Sequence, residues 1–457
     1  MRRWIRRIAQ AMLVAGALAL GAAPAAAQSV LRDAETEQLF SDMMRPIIVA
    51  AGLSPNNVKV VLLNDKEVNA FVAGGQTVYV NSGLVNAATS ANEVQGVVAH
   101  EIGHIVGGHV PLQGQGTKGA MGISLLSLAL GLAAMAAGSG DAGAAILSAG
   151  QTAAMGKFLA FSRSQEASAD AAAVRFLGGA GVSGKGFLSF FKKLQNMEFR
   201  YGYTGPDVDP FAQTHPMTGD RISTLTADLE KSPSWGKPLN SDVERRFKRV
   251  QAKLRGYLDD PKATLVRYPE TEQSVPARYA RAYAYHKGGY PEQAAAETSA
   301  LVKSDPMDPY FLELQGQIML EAGDPKGALG PLRQATQLTN YSPLIATTFG
   351  HALIATEDRG NLAEAEKVLR QAVARDDDNP FAWYQLGMAY TQEGDSARAA
   401  LATAEQATLT GDLRTAAQSA RAAVAGLKPG TPDYIRAQDI QLITDNELSK
   451  KKKQRGQ

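Results

Sequence analysis

The chain has 457 residues, 45% of them hydrophobic, with 47 basic and 45 acidic side chains, a net charge of +2 and no cysteine. That length provides for two or three domains, and the near-neutral balance argues against a strongly basic nucleic-acid binder, so no nucleic-acid partner is expected. Without cysteine there can be no disulfides, thiolate catalysis, iron–sulfur clusters, cysteine zinc sites or lipid-modified N-terminal cysteine; any metal must be held by nitrogen and oxygen.

Residues 1–27 read as a signal peptide. Arg2, Arg3, Arg6 and Arg7 precede an apolar run from Ala11 to Leu20, and Ala25, Ala26 and Ala27 supply a small-residue cleavage site. Export to a bacterial periplasm with cleavage after Ala27 is expected. Removal of this segment leaves 43 basic against 45 acidic side chains, a charge of −2.

Residues 28–235 read as one α+β domain. Leu31 to Ala50 is helix-like. Val58 to Leu63 and Gln76 to Val80 are strand-like, with turn signals at Asp65-Lys66 and Gly74-Gly75. Ala91 to His109 has helical spacing behind a Ser90/Glu93 capping box. Phe158 to Leu177 is a further helix, ended by Gly178-Gly179. Between these helices, 119–140 and 142–156 carry no charge. The Gly- and Ala-rich composition points to a helical hairpin or lid over a cleft, with a membrane-dipping segment as the alternative.

Residues 236–276 read as a connection, in which Asp242 would cap a basic amphipathic helix reaching Leu258. Over 277–448 an internal repeat emerges. Asp308-Pro309, Ser342-Pro343 and Asn379-Pro380 recur 34 and then 37 residues apart, as do Gly316, Gly350 and Gly387; Gly289, Gly323, Gly360 and Gly394 form a second series. This is the tetratricopeptide period. Residues 449–457 form a basic tail, read as disordered, and it is a second place where membrane contact through anionic lipid could occur.

The chemistry lies in His100-Glu101-Ile102-Gly103-His104. Two histidines four apart share a helix face and can meet one metal ion, while the adjacent glutamate can reach its bound water. A third protein ligand is needed. His109 is five residues past His104, about 140° off that face on a continuous helix, so it reads as a helix-end or packing residue. Glu166 is the better candidate. With Asp170, four residues on, it offers one carboxylate for the metal and one to accept a hydrogen bond from a ligand histidine.

The HExxH motif, the later Glu166-x-x-x-Asp170 preceded by Ser162-Arg163, the Asn69-Ala70-Phe71 and Tyr79-to-Leu84 stretches, and Thr214-His215-Pro216 with Arg221 together resemble the M48 family of zinc metallopeptidases. The resemblance implies a zincin-like (gluzincin) α+β peptidase domain followed by an all-α tetratricopeptide solenoid. It implies one zinc ion per chain on His100, His104 and Glu166, with Glu101 as general base. Asp170 would orient a ligand histidine, and His215 and Arg221 would lie near the metal, His215 steadying the oxyanion or filling the open position at rest. The strand residues Gln76, Thr77, Val78 and Tyr79 read as an exposed edge to which an extended substrate could add. The activity implied is endoproteolysis of unfolded or misassembled proteins, in quality control and assembly of outer-membrane proteins. The array would bind substrate or the β-barrel assembly machinery. A binding scaffold or chaperone with a latent zinc site is the alternative.

Overall fold

The computed structural model describes residues 29–136, 140–201, 215, 216 and 218–455. The expected signal peptide and its cleavage point lie outside them. A small sheet and the helices packed on it come first. Its strands are β1 (Ser29–Leu31), β2 (Lys59–Asn64), β3 (Ala70–Ala73) and β4 (Thr77–Asn81), in the order β1-β2-β4-β3. β2 and β4 run parallel, and β1 and β3 pair antiparallel to them.

This order corrects one expectation. The strand at Thr77, Val78 and Tyr79 is internal, paired on both sides, and Gln76 stands in the turn before it. Gly74 and Gly75 adopt φ of 61° and 96°, which lets a tight reversal fold Ala70–Ala73 back onto β4 and take the edge.

Helices α1 (Ala34–Ala50), α2 (Ser82–Ala87) and α3 (Ala91–Val106) complete the first layer. The capping box at α3 forms with a shift. Ser90 Oγ accepts from the Glu93 N–H at 3.2 Å, while the Glu93 carboxylate reaches back to the Thr89 N–H at 2.8 Å. Every residue of α3 from Ala91 to His104 is buried. Val94, Val97, Val98 and Ile102 join Phe40, Met44 and Ile47 of α1 and Val78 and Val80 of β4 in one core.

Beyond Gly107-Gly108 come α4 (His109–Ala136), α5 (Gly140–Ala180), α6 (Lys185–Tyr201) and α7 (Gly219–Glu230). The expected helix at Phe158–Leu177 is thus the second half of a 41-residue helix, because the Ala-rich stretch before it is itself helix-forming. α4 packs along the first half of α5 as a hairpin. Met121, Leu125, Leu126 and Leu132 on α4 are exposed. Among the described residues no helix is long and apolar enough to cross a membrane.

The remainder is largely helical. α8 (Ser241–Leu258) is capped by Asn240, not Asp242, with the Asn240 side chain accepting from the backbone of Asp242 and Val243. After α9 (Pro261–Arg267), helices α10 (Val275–Lys287), α11 (Pro291–Ser304), α12 (Pro309–Glu321), α13 (Pro325–Leu338), α14 (Pro343–Ala355), α15 (Leu362–Arg375), α16 (Pro380–Glu393), α17 (Ser396–Leu409) and α18 (Leu413–Gly426) follow, each packed on the next. A Cβ at Gly316 or Gly350 would lie 2.5 Å from Leu332 or Leu369 of the succeeding helix, so these positions admit the neighbour only as glycine. The last helix, α19 (Pro432–Arg455), corrects the expected disordered tail: the lysine run continues the helix, supported by a Lys450–Glu447 pair at 2.8 Å.

The two parts are clasped together. Arg249 of α8 bridges Glu35 of α1 and Asp308 at the start of α12, and Lys253 pairs with Asp33. The Tyr279 hydroxyl donates to Glu35 at 2.8 Å. Ala34 packs with Leu312, Ala335 and Ile345 in a small apolar cluster. Arg32 reaches Asp376 at 2.9 Å.

Candidate metal centre

The site is built where α3 crosses α5. Gly103, inside the HExxH motif, has no Cβ to collide with the Ala169 carbonyl, which would lie 2.7 Å from it. That close approach sets Glu166 and Asp170, one helical turn apart, against the two histidines. His215 enters from the segment before α7.

The ligand-type atoms converge. His104 Nε2 lies 3.1 Å from His100 Nε2, and Glu166 places its oxygens 3.4 Å from His100 Nε2 and 3.5 Å from His104 Nε2. His215 Nδ1 is 2.9 Å from Glu166 Oε2 and 3.4 Å from His100 Nε2. All four residues are buried, and one ligand atom from each lies within 4.8 Å of the others. Glu101 Oε1 is buried without a hydrogen-bond partner, 3.7 Å from His215 Nε2. An unsatisfied buried carboxylate oxygen is costly in a protein interior, and beside three imidazoles and a second carboxylate it fits a bound cation and its water.

A second ring of contacts holds these groups. His100 Nδ1 faces Asp170 Oδ1 at 2.9 Å, so its Nε2 is turned to the cluster. Asp170 in turn receives two hydrogen bonds from Arg221, each 2.8 Å, and Arg221 also lies 3.1 Å from Glu166. Arg221 rests over the Phe191 ring and donates to the Pro216 carbonyl at 3.0 Å, tying the His215 segment to the site.

Burial alone would raise the carboxyl of Glu166, but the charges of His215 and His100 outweigh it and hold the group well below the usual range. Asp170 is lowered in the same way, its burial outweighed by His100 and Arg221. Burial opposes the charge on His100, but Asp170 and Glu166 push it up to about 9. His104 is driven down to about 2 by burial and by the neighbouring His100. Glu101 is raised, mainly by burial. The two carboxyls are thus driven in opposite directions by their surroundings.

The structure thus brings together His100, Glu101, His104, Glu166, Asp170, His215 and Arg221. Gln76, Thr77, Val78 and Tyr79 belong instead to the turn and internal strand described above. Sequence reasoning set His109 aside because it assumed an unbroken helix. The helix ends at Val106, Gly108 takes φ of 62°, and His109 starts the next one with its Nδ1 2.9 Å from His104 Nδ1.

This fold carries a buried cluster that could hold a metal ion. Residues 31–228 match Peptidase family M48, and the chain carries an M48 peptidase domain. Among curated proteins, the Beta-barrel assembly-enhancing protease of Escherichia coli K12 is 22% identical over 382 residues, 82% of this chain and 76% of that protein. A Vibrio cholerae protein named after it is 26% identical over 294 residues, 63% of this chain; the chain spans only 59% of that relative's length. Metalloprotease LoiP of Escherichia coli K12 is 37% identical over 147 residues, 32% of this chain and 53% of that protein.

Proposed function

We propose that this protein is a periplasmic zinc endopeptidase acting on unfolded or misassembled proteins, in the assembly and quality control of outer-membrane β-barrel proteins. The observation that carries the reading is the buried Glu101 Oε1, without a hydrogen-bond partner, beside the convergent His100, His104 and Glu166. Nitrogen and oxygen donors of this kind suit zinc, with three protein ligands and one position left for water or substrate. Zinc held there would lower the pKa of its water to about 7 and polarise the scissile carbonyl.

The chain's own residues then divide the remaining work. Glu101 takes the proton of the attacking water and passes it to the leaving amine. Asp170 fixes the ring of His100, and Arg221 fixes Asp170. His215 lies between Glu166 and Glu101, where it can steady the developing oxyanion once displaced from the cluster, or keep the fourth position filled at rest. Such a resting state would make the enzyme latent until substrate arrives.

Substrate would add to the edge strand β3, which packs against α3 beside the site. The Asn81 N–H donates to Asn69 O at 2.9 Å. Alternation along the antiparallel pair then turns the backbone groups of Val72, which is only partly buried, away from β4, where they could pair with an extended peptide. Backbone pairing reads few side chains, which suits unfolded proteins. The domain division at 28–235, 236–276 and 277–448 and a tetratricopeptide solenoid are part of the same reading, supported by the repeat spacing and by the tight glycine contacts between successive helices. The array would recruit substrate or the assembly machinery, and the names of the relatives favour that setting. The hairpin formed by α4 and the first half of α5 would serve as a lid.

Glu101→Gln is the test. The variant should keep one zinc per chain while casein cleavage falls on the order of 10²–10⁴-fold. Undiminished cleavage, or a wild type that binds no zinc, rejects the enzyme and leaves a binding scaffold.

A further inference from the structure

His104 offers the metal cluster its Nε2, so its Nδ1 must carry the proton and find an acceptor in a buried place. Asp170 meets the same need for His100. For His104 the atom in place is His109 Nδ1, at 2.9 Å, with the two rings edge-on at 77° and their centroids 4.9 Å apart. His109 is only 6% exposed.

The backbone is shaped to deliver it. Gly108, at φ of 62°, reverses the chain after α3, and His109 becomes the first residue of the 28-residue α4. A Cβ on Gly107 would collide with the His109 ring at Nε2. Position 107 therefore has to be small for the imidazole to lie where it does. His109 is not itself one of the four residues whose ligand atoms converge.

We propose that His109 is a positioning residue for the metal centre: its Nδ1 accepts a hydrogen bond from the His104 Nδ1–H, fixing the tautomer that turns His104 Nε2 to the metal. The proposal rests on the zinc reading above. It assigns the two ligand histidines different supports, a carboxylate behind His100 and a neutral imidazole behind His104. Because His109 opens α4, it also joins the hairpin mechanically to a metal ligand.

Zinc affinity of the full chain, measured by competition with a chromophoric chelator, tests this without recourse to activity. His109→Phe keeps the bulk and removes the acceptor; it should bind zinc about 10–100-fold more weakly. His109→Asn places its Oδ1 close to where the ring Nδ1 stands and should recover most of the loss. Circular dichroism checks that both fold, and His109→Leu replaces the phenylalanine variant if that one does not. Zinc binding by His109→Phe within twofold of wild type overturns the proposal. So does an equal loss in the Phe and Asn variants, which would make His109 a packing residue only. A wild type that binds no zinc condemns the metal reading itself.

Discussion

Glu166 is buried and Glu313 is half-buried, and their surroundings drive their carboxyls in opposite directions. Glu166 has three imidazoles and Arg221 around it and stays ionised. Glu313, on α12, has an Oε2 closed to solvent and without a hydrogen-bond partner; burial pushes it up to about 8, with Asp33 and Glu35 adding to the effect and Lys253 opposing it. The folded state then holds a proton that the unfolded chain releases near pH 4.5, so stability falls as pH rises from about 4.5 to about 8 and levels off above that. Glu313→Gln removes this loss. Thermal unfolding should show the variant close to wild type at pH 5 and more stable at pH 9. At this scale the sequence was informative where spacing alone decides geometry: four-residue separations put His100 with His104, and Glu166 with Asp170. It was silent on Glu313, whose environment is made by α1 and α8, more than 50 residues away in the chain. It kept His109 out of the ligand set, as the cluster does, but put it off the ligand face because helical phase carries no meaning past a glycine turn.

Among the elements, the pair β3 and β4 separates what was legible from what was not. The β-branched run at Val78–Val80 announced a strand, and Gly74-Gly75 announced a turn. A four-residue partner such as Ala70–Ala73 has too little pattern to declare itself, and without it the wrong strand looks like the edge. The corrected topology makes its own prediction. Val72→Pro removes an outward N–H that β4 does not use, whereas a proline at Phe71 would break a ladder bond. Cleavage of unfolded casein by Val72→Pro should fall at least tenfold with zinc content and the circular dichroism spectrum unchanged. Unaltered cleavage would reject β3 as the substrate rail. The helix α8 is a similar case. Its sequence reads as a basic amphipathic helix, yet Arg249 and Lys253 are buried because Asp33 and Glu35 at the start of α1 and Asp308 at the start of α12 meet them there.

On the scale of the whole molecule, that meeting point joins the peptidase domain to the helical array. Glu35 is 2% exposed and faces Arg249, Lys253 and the Tyr279 hydroxyl. Removing one partner of a buried charge cluster leaves the others uncompensated and costs about 3–5 kcal/mol. Glu35→Ala should therefore lower the thermal midpoint and split calorimetric unfolding into separate domain and array transitions; a single unshifted transition would mean that the clasp is not what couples them. Nothing in the composition foretold this, since each residue looks ordinary until α1, α8 and α12 are set side by side. The clasp also fixes a timetable. Asp33 and Glu35 are made early, but Lys253 lies 220 residues later and the Asp376 partner of Arg32 lies 344 later. Contacts so distant along the chain close late. A polypeptide emerging N-terminus first must hold its opening segment undocked until most of the array has been delivered, so the peptidase domain reaches its final form only after most of the helical array exists.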